Sequence, residues 1–129
     1  MVKINPRCSI QGDRFSPSRV ALTGVKFKEA HEPGEIGQLG IYRDKPTPYG
    51  TATISVAEKS GDWGLLDKIL DILENNIDSI REAGAEDVIL DCDLFHDEQC
   101  NFEFTREQLG RIYALNVFFT VSCRSNDME

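Results

Sequence analysis

Asp62–Leu94, DWGLLDKILDILENNIDSIREAGAEDVILDCDL, is the stretch that decides the fold. Within it Leu66, Ile69, Leu70, Leu73, Ile77 and Ile80 step by three and four, which gathers apolar side chains on one face of an α-helix. Asp67, Asp71, Glu74, Asp78 and Glu82 fall on or beside the opposite face, and Gly84 is placed to end the helix. The period then drops to two. Val88, Leu90, Cys92 and Leu94 alternate with Ile89, Asp91 and Asp93, as in a strand with one buried face. The helix has an apolar face to bury, and the strand offers a face to bury it against.

Working toward the N-terminus, Trp63 follows the turn Ser60-Gly61-Asp62 and is placed to fasten the helix start to the sheet. Ala52, Ile54 and Val56 alternate with Thr51, Thr53 and Ser55 in a strand with a polar outer face. Val2, Ile4, Cys8 and Ile10 share another period-two pattern, with Pro6 marking an edge or a bulge. Ser16 as N-cap and Pro17 at the first helical position predict a short helix through Val20 and Leu22, stopped by Gly24. Val25 and Phe27 then read as a strand. From Ala30 to Gly50 prolines and glycines punctuate a long irregular loop, with room for one short strand around Leu39, Ile41 and Tyr42.

Working toward the C-terminus, Phe102 and Phe104 flank Glu103 as a further strand. Thr105 and Gln108 form a capping box for a helix bearing Leu109, Ile112 and Tyr113. Val117, Phe119, Val121 and Cys123 give the last strand, and 124–129 reads as a frayed tail. The expectation is a single α+β domain over residues 1–129, in the order β-α-β-β-α-β-β-α-β. Its sheet is largely antiparallel with the helices on one face, and its first six elements follow the ferredoxin-like order.

The charge is divided unevenly. Residues 1–64 hold nine Lys/Arg against seven Asp/Glu, a net +2, whereas 65–129 hold five against fifteen, a net −10. Such a field attracts cations and basic proteins and repels nucleic acid. The basic residues Lys3, Arg7, Arg14, Arg19, Lys26 and Lys28 do not outweigh the overall −8, so direct nucleic-acid binding is not expected. No apolar run approaches the roughly 20 residues that span a bilayer. The N-terminal residues show no signal-peptide pattern, so the expected location is the cytoplasm, without a membrane partner. Cys8, Cys92, Cys100 and Cys123 form no CxxC pair; the default reading is buried free thiols, with Cys8, Cys92 and Cys123 in apolar strand patterns, and a disulfide between neighbouring strands is the lesser case.

Asp91-Cys92-Asp93-Leu94-Phe95-His96-Asp97-Glu98-Gln99-Cys100 is the densest polar cluster. Its carboxylates, imidazole and thiols can all bind metal, but the spacing matches neither an EF-hand loop nor a zinc motif. No cofactor or metal is expected; a metal or small-ligand site built from this segment with His31 or His96 is the alternative. His31 lies among Glu29, Glu32 and Glu35, the setting of a general base, yet no nucleophile is fixed beside it. Gly34–Gly40 has glycines three apart without the strand and helix of a phosphate loop. No catalytic constellation emerges.

Phe15-Ser16-Pro17, Asp62-Trp63 ahead of the long helix, and Phe104-Thr105 ahead of Leu109 and the Phe119 strand carry a resemblance. The chain resembles a group of small bacterial domains, some of which are similar to immunity proteins of toxin–immunity loci. The resemblance implies a compact α+β domain with no obvious active site. Immunity proteins often inhibit nucleases, whose phosphate-binding sites are basic, and an acidic inhibitor complements them. The expected function is therefore an acidic protein inhibitor of a basic toxin. Asp91, Asp93, Asp97 and Glu98 would be its charged contacts, Glu74 and Asp78 would add to them, and Phe95 or Tyr42 would supply apolar anchors. A phage anti-defence protein that mimics nucleic acid fits the same charge.

Overall fold

The computed structural model describes residues 2–125. In chain order the elements are β1 (Lys3–Gly12), β2 (Glu29–His31), β3 (Gly50–Ser55), α1 (Gly64–Glu82), β4 (Asp87–His96), α2 (Arg106–Leu115) and β5 (Phe118–Ser125). Single 3-10 turns at Pro17–Arg19 and Gly40–Tyr42 lie in the long connections between the first three strands. The strands form one sheet in the order β2-β3-β1-β4-β5.

This is an α+β fold, but its sheet is mixed. The β2–β3, β3–β1 and β1–β4 pairings are antiparallel and β4–β5 is parallel. The parallel pair follows from the chain path. After β4 the chain returns through α2 before adding β5, and a strand that needs a crossover helix comes back in the same direction.

The expected nine-element order departs from the structure in three places, and each has a physical reason. Ser16 does not cap a helix, because its hydroxyl bonds Glu32, and only the Pro17–Arg19 turn forms. Without a first helix the ferredoxin-like order is lost. Val25 and Phe27 do pack against the core, but their segment is tied to α1: Ala21 N–H donates to Ser79 Oγ at 3.0 Å and Thr23 N–H to Asn76 Oδ1 at 2.8 Å. The ladder starts later, with Lys28 N–H on Thr53 O at 2.8 Å and then β2. Phe102 and Phe104 form no strand. Their rings pack on Trp63, with centroids 6.3 and 5.6 Å away, and that clustering produced their alternation. The tail also differs, since Arg124 and Ser125 belong to β5; residues 126–129 lie outside the described residues.

The helix ends form as their residues dictate. Asp62 Oδ1 accepts the Gly64 N–H at 2.7 Å, and Trp63 Nε1 donates to Val2 O at 3.0 Å, fastening the helix start to the sheet. Gly84, at φ 103°, closes α1: its N–H bonds Arg81 O and the Ala85 N–H bonds Ile80 O. The capping box of Thr105 and Gln108 is complete, and Arg81 donates to Leu115 O and Asn116 O at the far end of α2.

The core is a single layer between sheet and helices. Even-numbered residues of the central strands, among them Ile4, Cys8, Ile10, Ile54, Leu90 and Leu94, face Leu66, Ile69, Leu70, Leu73 and Ile80 of α1. Odd-numbered residues of those strands face outward and are partly exposed or exposed. The helices therefore cover one face of the sheet and leave the other polar and open. Among the described residues no helix is long and apolar enough to cross a membrane.

Candidate functional site

The period of two in β4 places Asp91, Asp93 and Phe95 on the open sheet face. Asp91 is already engaged. Arg7 of β1, its register partner, donates to Oδ2 from Nε at 3.3 Å and from Nη2 at 3.2 Å, and Thr120 of β5 donates to Oδ1 at 2.6 Å. Asp93 is 14 % exposed and lies 3.9 Å from Arg124. Its Oδ1 and the Oδ1 of Asn5, opposite it in register, are both buried without a hydrogen-bond partner. Arg7 and Arg124 thus offset much of the charge that Asp91 and Asp93 bring. Asp97 and Glu98 stand exposed beyond the end of β4.

Glu74 and Asp78 lie elsewhere, on α1, and so on the opposite side of the sheet from Asp91 and Asp93. The structure does not bring the two sets together. It does assemble Asp67, Asp71, Glu74, Asp78 and Glu82 into an exposed ridge along one side of the helix. Arg111 of α2 closes on the first three. Its Nε and Nη2 donate to Glu74 at 2.9 and 2.8 Å, Nη2 reaches Asp71 at 2.5 Å, and Nη1 stands 3.5 Å from Asp67. Its hydrogen bond to Glu74 is the main reason the Glu74 carboxyl titrates below the usual range and the Arg111 guanidinium above its own. Among the described residues no ion pair reaches Asp78 or Glu82.

Arg111→Gln is expected to cost about 1 kcal/mol in urea unfolding at low salt, since it leaves the like charges of three exposed acids without their cation. The difference shrinks in molar salt, where exposed charges are screened.

The loop histidine is held on both ring nitrogens: Nε2 lies 3.1 Å from Glu29 and Nδ1 3.3 Å from Glu35. Hydrogen bonds to Glu29 and then Glu35 raise the pKa of His31, because two acceptors favour the imidazolium, which suits a structural clasp better than a general base. Beside it is a cleft of about 300 Å³ lined in part by Ile36, Leu39 and Tyr49. An NMR titration is expected to give a His31 midpoint above 6.5, and Glu29→Gln should lower it. His31 gains affinity for its proton on folding, so its contribution to stability is full below pH 6.5 and fades as pH rises through the raised midpoint.

The Asp91–Cys100 segment does not act as one donor set. Strand alternation sends Cys92 into the core and Asp91 and Asp93 to the other face. Among the described residues no group of three or more His, Cys, Asp or Glu could hold a metal ion. Burial pushes the Cys8 and Cys92 thiols up to about 12, as inert core sulfurs. Cys123 departs from the buried reading: it is exposed and hydrogen-bonds Cys100. Tyr42 packs edge-on against Tyr49, with centroids 5.9 Å apart.

Sequence reasoning missed the basic partners Arg7, Arg111 and Arg124, which meet their acids across strands or helices. No family model matches the chain, and neither a curated protein nor a solved structure does.

Proposed function

We propose that this protein is an acidic inhibitor that docks on a basic protein, an immunity protein whose target is a toxin with a cationic, nuclease-like active face. The observation that carries the reading is the free half of the α1 ridge. Asp78 and Glu82 occupy the last turns of α1, where the helix dipole is negative, and they follow Glu74 at the four-residue spacing of like-charge repulsion. Each choice costs the helix a few tenths of a kcal/mol. Unpaired carboxylates kept at a position that disfavours them suit a surface selected for its field. In this reading Asp78 and Glu82 are the principal contacts, Asp97 and Glu98 form a second acidic point, and Glu74 contributes less because Arg111 already holds it. Asp91 and Asp93, with Phe95 beside them, contribute less because of their arginine partners.

The test is capture on the immobilised protein, with washes at low and high salt, followed by titration of the captured protein's activity. One basic protein, retained near one-to-one and losing its activity as the inhibitor is added, is the expected result. Capture of nothing, or of a protein whose activity is untouched, would overturn the reading.

A further inference from the structure

The two edges of the sheet are treated differently. At one edge β2 is three residues long, carries Glu29 and His31, and is flanked by Lys28 and Glu32. Short length and charge are the usual devices that stop a sheet from growing. At the other edge β5 runs for eight residues, FFTVSCRS, with no proline, no glycine and one charge, Arg124. Among the described residues no strand pairs with the outer side of β5, and from Phe118 to Arg124 that edge is about 23 Å long.

Apolar exposure collects at the same end. Phe118 is 61 % and Val121 37 % exposed. On α2, Arg111 donates to the acids of α1, and the helical spacing puts Leu109 and Tyr113 on the flank turned away from Arg111, in the α2 that precedes β5. Tyr113, at 87 %, is the most exposed large apolar side chain of the described residues. Val121 pairs in register with core-facing Cys92 and so lies on the helix side of the sheet, whereas Phe118 pairs with Ile89 and lies on the open face, so exposed apolar side chains flank the β5 edge on both faces.

We propose that β5 pairs with β5 of a second copy, antiparallel about a two-fold axis at Val121, joining two sheets into one. The strand is self-complementary in that register. Val121 meets Val121, Thr120 meets Ser122, Phe119 meets Cys123, and Phe118 meets Arg124. The last contact places each guanidinium over an exposed ring on the same sheet face. An isologous contact of this kind closes at two copies. The acidic ridge lies on α1, outside the strand that makes the joint. The pairing is independent of the inhibitor reading and leaves that ridge open.

Sedimentation equilibrium on the full chain tests the proposal. The wild type is expected near 29 kDa, twice its 14.5 kDa, at concentrations where Val121→Lys sediments as a monomer. Charge sign then tests the register. Phe118→Lys faces the partner's Arg124 and should weaken the dimer at least tenfold, whereas Phe118→Glu gains an opposite charge there and should retain it. Amide exchange in β5 that slows with concentration is the matching readout if a variant folds poorly. A monomer at every concentration, a dimer indifferent to Val121→Lys, or equal effects of Phe118→Lys and Phe118→Glu would overturn the proposal. A β5 edge that is protected only when another protein is added would assign the edge to a different partner and overturn it equally.

Discussion

Gly50→Ala is expected to destabilise the protein by about 3 kcal/mol, the upper end of what overpacking normally costs. A Cβ at position 50 would lie 1.8 Å from the carbonyl oxygen of Phe15 and 2.9 Å from its carbon. Both neighbours are backbone, so no side chain can turn aside. Gly50 pairs with Gly12 at the end of the β1–β3 ladder, and a Cβ on Gly12 would come within 2.5 Å of Gly84 O. These glycines let the chain after β1 turn tightly enough to seat Phe15, which is fully buried. Gly110 on α2 is the control. Nothing lies within 4 Å of its Cβ position, so Gly110→Ala is expected to stabilise by about 0.5–1 kcal/mol through helix propensity. Urea midpoints of the two variants should move in opposite directions.

Asn76→Ala is expected to cost about 3 kcal/mol, because it strands polar groups that the fold has taken out of water. Asn76 is 1 % exposed and is the most deeply buried polar residue of the core. Its Oδ1 accepts from Thr23 N–H at 2.8 Å and Oγ1 at 3.3 Å, while Nδ2 donates to Thr23 O at 3.1 Å and Ile72 O at 2.8 Å. One amide thus binds both backbone groups of Thr23 and ties the segment ahead of β2 to α1. Amide exchange in that segment should accelerate well beyond the global loss of stability. Asn76→Asp should be worse than Asn76→Ala at neutral pH, since it keeps the acceptors but places a charge in the core.

Much of the framework was legible in the sequence. The three-and-four spacing of Leu66 to Ile80 and the alternation in β1, β3 and β4 each encode one buried face, and the Thr105–Gln108 box encodes a helix start. Asn76 was missed, although an amide on the apolar stripe of α1 between Leu73 and Ile77 is the signal that could have marked it. The failures have a common cause. Val25, Phe27, Phe102 and Phe104 are apolar because they touch the core or Trp63, yet their backbones are held by Asn76 or by turns and not by a ladder. Periodicity reports burial and is silent on which backbone group a segment bonds. The sheet's parallel edge follows from the same error, because once 102–104 is not a strand, β4–α2–β5 is a crossover unit.

The acidic half of the chain was legible as composition but not as a surface. Asp91 and Asp93 are adjacent in pattern to Asp97 and Glu98, and only the pairing of β4 with β1 and β5 brings Arg7 and Arg124 onto them. Arg111 meets its acids 37 to 44 residues away in sequence, a distance no local pattern spans. Along the α1 ridge, the uncompensated part is its C-terminal half, Asp78 and Glu82.

The most direct measurement is the affinity of the captured basic protein for the wild type and for the Asp78→Lys/Glu82→Lys variant, at low and high salt. Lysines near a helix C-terminus favour the dipole, so the variant should be at least as stable as the wild type and a loss of binding would not reflect misfolding. The expected result is a loss of about 100-fold or more at low salt that narrows as salt rises. Equal affinity of the two forms, with no response to salt, would contradict the acidic-inhibitor reading.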